Sequence, residues 1–213
     1  MVKPAERVRT LLLICGILAA LLNVGTDILA GVLWPGYSFI AQSASELSAL
    51  GAPTRPFVVL LELMYDVLMI AFGVGVWRSA GRNRALRVTA CLVIGNVAIT
   101  VVASAFFPMR LGASATTPGV ILGAVSVVCF LLAMGFGAAA FRNWFRFYSI
   151  GTLLAYLILA IMRIWVSPQT GEVAPTSLVG IQERTMIYSY MLWVVLLAIV
   201  LLRTKERPSS TSA

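Results

Sequence analysis

Six stretches of the chain are apolar almost without a break: about residues 10–33, 57–77, 88–107, 119–141, 148–166 and 184–202. Each is close to twenty residues or longer, the length that crosses about 30 Å of hydrocarbon at about 1.5 Å per residue. Strands of a membrane barrel would be about half as long and would alternate apolar with polar positions. The pattern therefore predicts an all-α integral membrane protein, a bundle of six transmembrane helices. Residues 1–9 form a short N-terminal segment, residues 10–203 a single transmembrane domain, and residues 204–213 a polar tail. Pro35, Pro56, Pro108, Pro118 and Pro168 fall outside these runs or at their edges, where they leave the helices unbroken. Trp34, Trp77, Trp144 and Trp165 mark run ends, as in an interfacial aromatic belt. The first run follows Lys3, Arg7 and Arg9 as a signal peptide would. It is too long for one and lacks a small-x-small cleavage site, so its retention is expected.

The polar residues inside the runs recur at helical spacing. Asn23 and Asp27 share a face of the first helix with Gly16, Ala20 and Gly31, and Glu62 and Asp66 share a face of the second. The third run carries Asn96, Thr100 and Ser104, and the fifth carries Thr152, Tyr156 and Arg163. The sixth opens with Glu183 and Arg184, followed by Tyr188. The fourth is almost wholly apolar. Such stripes should face inward, because lipid leaves polar groups unpaired. Most of these residues fall at the middle of a run or toward the end away from the termini. The expectation is a polar cavity that opens outward and is closed from the cytoplasm.

Composition agrees with a membrane protein: 60% of the 213 residues are hydrophobic and 11% charged. The net charge of +8 is not a nucleic-acid footprint, because the basic residues are spread over short segments between runs. Twelve of the sixteen lie in the N-terminus, the 78–87 and 142–147 loops and the tail. Arg55, Arg110, Arg163 and Arg184 lie on the other side. The positive-inside rule then puts both termini in the cytoplasm and predicts a multi-pass protein of a prokaryotic plasma membrane. Cys15, Cys91 and Cys129 have no metal-ligand spacing, and there is no histidine, so neither a metal nor a cofactor is expected.

Two readings of the deep charges stay open. Arg163 and Arg184 pair with the acids and hold the bundle together. Alternatively, Asp27, Glu62 and Asp66 outnumber the one comparably deep base, Arg163, and the excess carboxylate holds a proton, a cation or a cationic ligand group. On the second reading the ligand or proton site comprises Asp27, Glu62, Asp66, Arg163, Arg184, Asn23, Asn96 and Tyr156, with Asp66 in reach of Asn96. In the first outer loop, Ser43-x-x-Glu46 has capping-box spacing, with Gly51 and Pro53 after it. It predicts a short surface helix over the cavity mouth, with Ser45, Glu46 and Ser48 as a lid. Gly119-x-x-x-Gly123 offers a close-packing face within the bundle or between two copies.

Thr26-Asp27, "SELSALGAPTRP" at 45–56, Phe107-Pro108, "GFGAAAF" at 135–141 and "ERTMIYSYMLWVVLLAIVLLR" at 183–203 together resemble the domain-of-unknown-function 998 family of bacterial and archaeal multi-helix membrane proteins. The resemblance covers roughly residues 10–203. It implies a multi-helix bundle and a distant similarity to six-helix eukaryotic proteins of the Frag1/DRAM/Sfk1 type, and it implies no known activity. Relatives often have a histidine after the Phe-Pro pair, where this chain reads "MRLGASATTPG". The functional expectation is a non-enzymatic protein whose partners are membrane lipids, binding a lipid headgroup or small amphiphile in the outer cavity. The alternatives are a proton- or cation-coupled transporter and, less favoured without histidine, an intramembrane hydrolase or transferase.

Overall fold

The computed structural model describes residues 4–113, 116–166 and 178–204. Six α-helices carry almost all of them: α1 (Pro4–Leu33), α2 (Arg55–Ser79), α3 (Arg84–Phe106), α4 (Thr117–Ala140), α5 (Trp144–Val166) and α6 (Val179–Arg203). All six are long and apolar enough to cross a membrane. All six begin earlier than the apolar runs do, because a helix continues through the polar residues at which a hydrophobic run is cut. Local chemistry sets the starts. Pro56 and Pro118 occupy the first turns of α2 and α4, where a missing N–H costs nothing. The Asn83 side chain accepts from Leu86 N–H at 3.2 Å, and Thr116 Oγ1 from Gly119 N–H at 3.3 Å; each satisfies an orphan donor.

Each helix packs on its neighbours in sequence, and α6 closes the ring on α1 while also touching α2 and α4. Half of the most apolar stretch of α6 is buried, against 28% or less in every other helix. α6 is thus the most enclosed element. The helices alternate in direction, so the bundle has two ends. The terminal end carries the α1 start, the α2–α3 and α4–α5 turns and the α6 end. The loop end carries residues 34–54 and 107–113.

The terminal half is packed with apolar side chains, among them Leu13, Phe72, Val76, Trp193, Val194 and Leu197. Close approach there depends on glycine. A Cβ on Gly16 would strike Phe72, one on Gly75 the backbone of α1 at Leu12, and one on Gly137 the Trp193 ring. On its α5 side, Trp193 Nε1 donates to Ser149 Oγ at 3.0 Å. Gly123 meets nothing, and Gly119 meets mainly its own N-cap, Thr116; within the bundle the close contact of α4 falls at Gly137. Arg9, counted above only as a topology residue, is 5% exposed and donates to Leu201 O at 3.2 Å, tying α1 to the end of α6.

At the loop end, Ala44–Ser48 forms a short 3-10 helix, η1. Glu46 accepts from Ser43 N–H at 3.1 Å and from the Ser43 hydroxyl at 3.3 Å, and Gln42 Nε2 donates to its other oxygen at 3.0 Å. Gly51 turns the chain at φ +96°. Thr54 Oγ1 donates to Leu47 O at 2.8 Å, and Arg55 donates to Ser48 O. A second loop joins this cap: Leu50 N donates to Met109 O at 2.8 Å and Leu111 N to Leu50 O at 3.0 Å.

Candidate functional site

Asp27 and Arg184 face each other across the α1–α6 contact, each 7% exposed. The pair is bidentate: Arg184 Nε donates to one carboxylate oxygen and Nη2 to the other, both at 2.9 Å. This fork geometry is the strong form of the interaction. Arg184 Nη1 donates to the carbonyls of Phe39 and Gln42, each at 2.9 Å, and Nη2 to Tyr37 Oη at 2.6 Å. The guanidinium also lies over the Phe39 ring, 4.9 Å from its centroid. Tyr188 donates to Asp27 Oδ2, and Tyr37 donates to Ser43 O at 2.7 Å. Burial holds the Tyr37 phenol above its ordinary value of 10.0, against the opposing pull of Arg184, so it remains a neutral donor at physiological pH. One arginine thereby fastens α1, α6 and the first loop together.

Arg163 and Arg184 are the two bases expected to pair with the acids, Arg163 being the deeper along its run. Asp27 pairs with Arg184. The α6 helix begins five residues before its apolar run, so Arg184 sits more than a turn inside rather than at the edge. The side chain of Arg163 lies outside the described residues.

Beside this network lies a cavity of about 180 Å³. Asn23, Thr26 and Asp27 of α1, Glu62 and Tyr65 of α2, and Tyr188 of α6 contribute to its wall, and Ser45 and Ser48 of η1 lie across its end. Ser45 is held there by Glu183, whose Oε1 accepts from its N–H at 3.1 Å and its hydroxyl at 2.5 Å. Glu46, expected in the lid with the two serines, is turned instead into its own cap and Gln42. Glu62 is half-buried, with the Ser48 hydroxyl and Arg55 as the groups that act on it. It has no ion-pair partner among the described residues. Asp66, one turn deeper on the same face, lies outside the cavity wall. It too has no hydrogen-bond or ion-pair partner among the described residues.

Other polar positions point elsewhere. Asn96 is buried between α3 and α4, where its Oδ1 accepts from Ser126 Oγ at 2.8 Å. It is thereby committed away from Asp66, and α4 does carry one inward polar residue. Thr100 and Ser104 return their hydroxyls to their own helix, at Val97 O and Val101 O, and Ser104 is exposed rather than inward. Tyr156 belongs to an aromatic cluster with Phe130 and Tyr190. No group of histidine, cysteine, aspartate or glutamate among the described residues is arranged to hold a metal ion.

A profile of the family described as "Protein of unknown function (DUF998)" matches residues 17–200. The chain belongs to the DUF998 family. The match runs from within α1 almost to the end of α6, so the DUF998 segment contains both halves of the Asp27–Arg184 pair and the whole cavity wall. No curated protein and no solved structure matches the chain.

Proposed function

We propose that this DUF998 protein binds the head of a membrane amphiphile in the cavity between α1, α2, α6 and η1, and that the head carries a cationic or hydroxylated group. The observation that carries this reading is the division of charge around the cavity. The Asp27 carboxylate is satisfied by Arg184 and Tyr188, whereas Glu62 lines the same space without an ion-pair partner among the described residues. A carboxylate in a partly apolar wall is stabilised by an ammonium or hydroxyl donor brought by a ligand. Size supports a head rather than a whole lipid, since pockets for complete drug-sized ligands start at about 300 Å³. Leu60, Leu63 and Met64, on the flank of α2 next to Glu62, are exposed and available to a hydrocarbon tail. The division of basic residues supports an orientation with the termini in the cytoplasm and the cavity facing outward across the plasma membrane.

The test is native mass spectrometry of the full chain with added phosphatidylethanolamine or phosphatidylcholine. Preferential retention of phosphatidylethanolamine, lost in Glu62→Gln while the unfolding temperature holds, is the expected result. Equal retention of both lipids by wild type and variant overturns it. Proton-coupled dye acidification in vesicles, abolished by Glu62→Gln, would instead establish a transporter.

A further inference from the structure

From Val67 to Gly171 the chain contains arginines but no aspartate or glutamate. The turn between α2 and α3 concentrates this imbalance, with Arg78, Arg82, Arg84 and Arg87 within ten residues. Two of the four line a groove at the terminal end of the bundle. Arg84 and Arg87 stand over Trp77, Val88, Cys91 and Leu92 in a depression of about 460 Å³. Helical spacing builds one wall: residues 84, 87, 88 and 91 follow one another along a single face of α3. Trp77, from the last turn of α2, forms the other.

The groove is open to its surroundings. Trp77 is 46% exposed and Val88 37%, and both arginines and Cys91 are exposed. Arg87 is oriented by the protein. Its Nη2 donates to Gly81 O at 2.5 Å, and its guanidinium lies 5.6 Å from the Trp77 ring centroid. A guanidinium has five N–H donors, so one such bond leaves it able to hold an anion. Arg84 has no hydrogen-bond or ion-pair partner among the described residues. Glu6 of α1, the acid nearest this end in the described chain, pairs with neither arginine.

We infer that this groove is a binding site for an anionic phospholipid of the leaflet at the terminal end, with its phosphate between Arg84 and Arg87 and an acyl chain laid over Trp77, Val88, Cys91 and Leu92. The charge selects the occupant. Two cations without a carboxylate partner call for an anion, and the apolar floor beneath them calls for a chain attached to it. A free phosphate uses only the first feature, and an uncharged lipid only the second. Interfacial tryptophan and arginine at headgroup depth suit this arrangement. The site is separate from the cavity at the loop end and requires the opposite headgroup charge.

The experiment uses the full chain in detergent, with phosphatidylglycerol or phosphatidylcholine of identical acyl chains added before native mass spectrometry. Wild type retains phosphatidylglycerol preferentially, and each of Arg84→Ala and Arg87→Ala lowers that retention about fivefold. The control pair Arg142→Ala and Arg146→Ala, in the other short loop at the same end, leaves it unchanged. Equal retention of the two lipids, or an equal loss in the control pair, overturns the site. A second reading works on the unaltered arginines: brominated phosphatidylglycerol quenches the emission contributed by Trp77, taken as the difference from Trp77→Phe, more than brominated phosphatidylcholine does. Equal quenching by the two also overturns it.

Discussion

The two acidic walls of the loop-end cavity are built on opposite principles. On the α1–α6 side, Asp27 has a bidentate arginine, a tyrosine donor and near-complete burial. Across the space, Glu62 of α2 is half-buried with no ion pair among the described residues, and Asp66, one turn deeper and outside the wall, has none either. A carboxylate that is fully answered fixes structure and has little capacity for anything else. A carboxylate left half-answered beside a cavity contributes little to the fold and keeps its chemistry available. Carboxylates that line one cavity thus separate into scaffold and candidate site.

The most disruptive way to probe this contrast is Arg184→Met. It leaves the Asp27 carboxylate buried without a counter-charge and removes the donor that holds the Phe39 and Gln42 carbonyls. A loss of about 3–5 kcal/mol is expected, read as a lower unfolding midpoint in detergent. Asp27→Asn in the same chain should recover part of it, because the stranded charge is then gone. Strictly additive losses would show that the pair is not coupled.

A smaller effect is expected from Gly180→Ala. The added Cβ would run into the carbonyl oxygens of Phe39, Ile40 and Gln42, two of which accept from Arg184. Overpacking of this kind costs about 1–3 kcal/mol. If the loop is docked for the sake of the ion pair, Gly180→Ala should lose most of its effect in the Arg184→Met background. An undiminished effect would mean that the loop docks independently.

The smallest stability change is expected on α2. Glu62→Gln and Asp66→Asn remove charge without removing a partner, so each should shift stability by no more than about 1 kcal/mol. A loss as large as that of Arg184→Met would place Glu62 or Asp66 in the scaffold and erase the distinction between the walls.

The six helices were legible because lipid imposes one requirement, a long apolar run, and the chain states it six times. The partnership inside was harder to read. Depth along a run ranked Arg163 above Arg184, since Gly180, Gln182 and Glu183 cut the apolar run short of where α6 begins. The loop acceptors of Arg184 are main-chain carbonyls of Phe39 and Gln42, which any residue could supply, so no side-chain signal marks them. Thr100 and Ser104 matched the polar stripe, but their hydroxyls bond back to their own helix and need no inward partner. Ser126 was hidden for the opposite reason: a lone hydroxyl in an apolar helix carries no periodicity. Gly137 and the Gly119–Gly123 pair read alike in sequence, and only the position of Trp193 tells them apart.

Asp27 and Arg184 stand 157 residues apart in the chain. At about 5–20 residues per second, synthesis separates them by on the order of 10–30 s. During that interval the first helix sits in the bilayer with an uncompensated carboxylate, whose burden is below the about 2.5–3.5 kcal/mol of a charge at the helix centre because Asp27 lies near the end of α1. Relief comes only when α6 arrives with its arginine. The ion pair therefore links the order of synthesis to the packing of the bundle: helices α1 to α5 carry an unanswered carboxylate that the arrival of α6 neutralises.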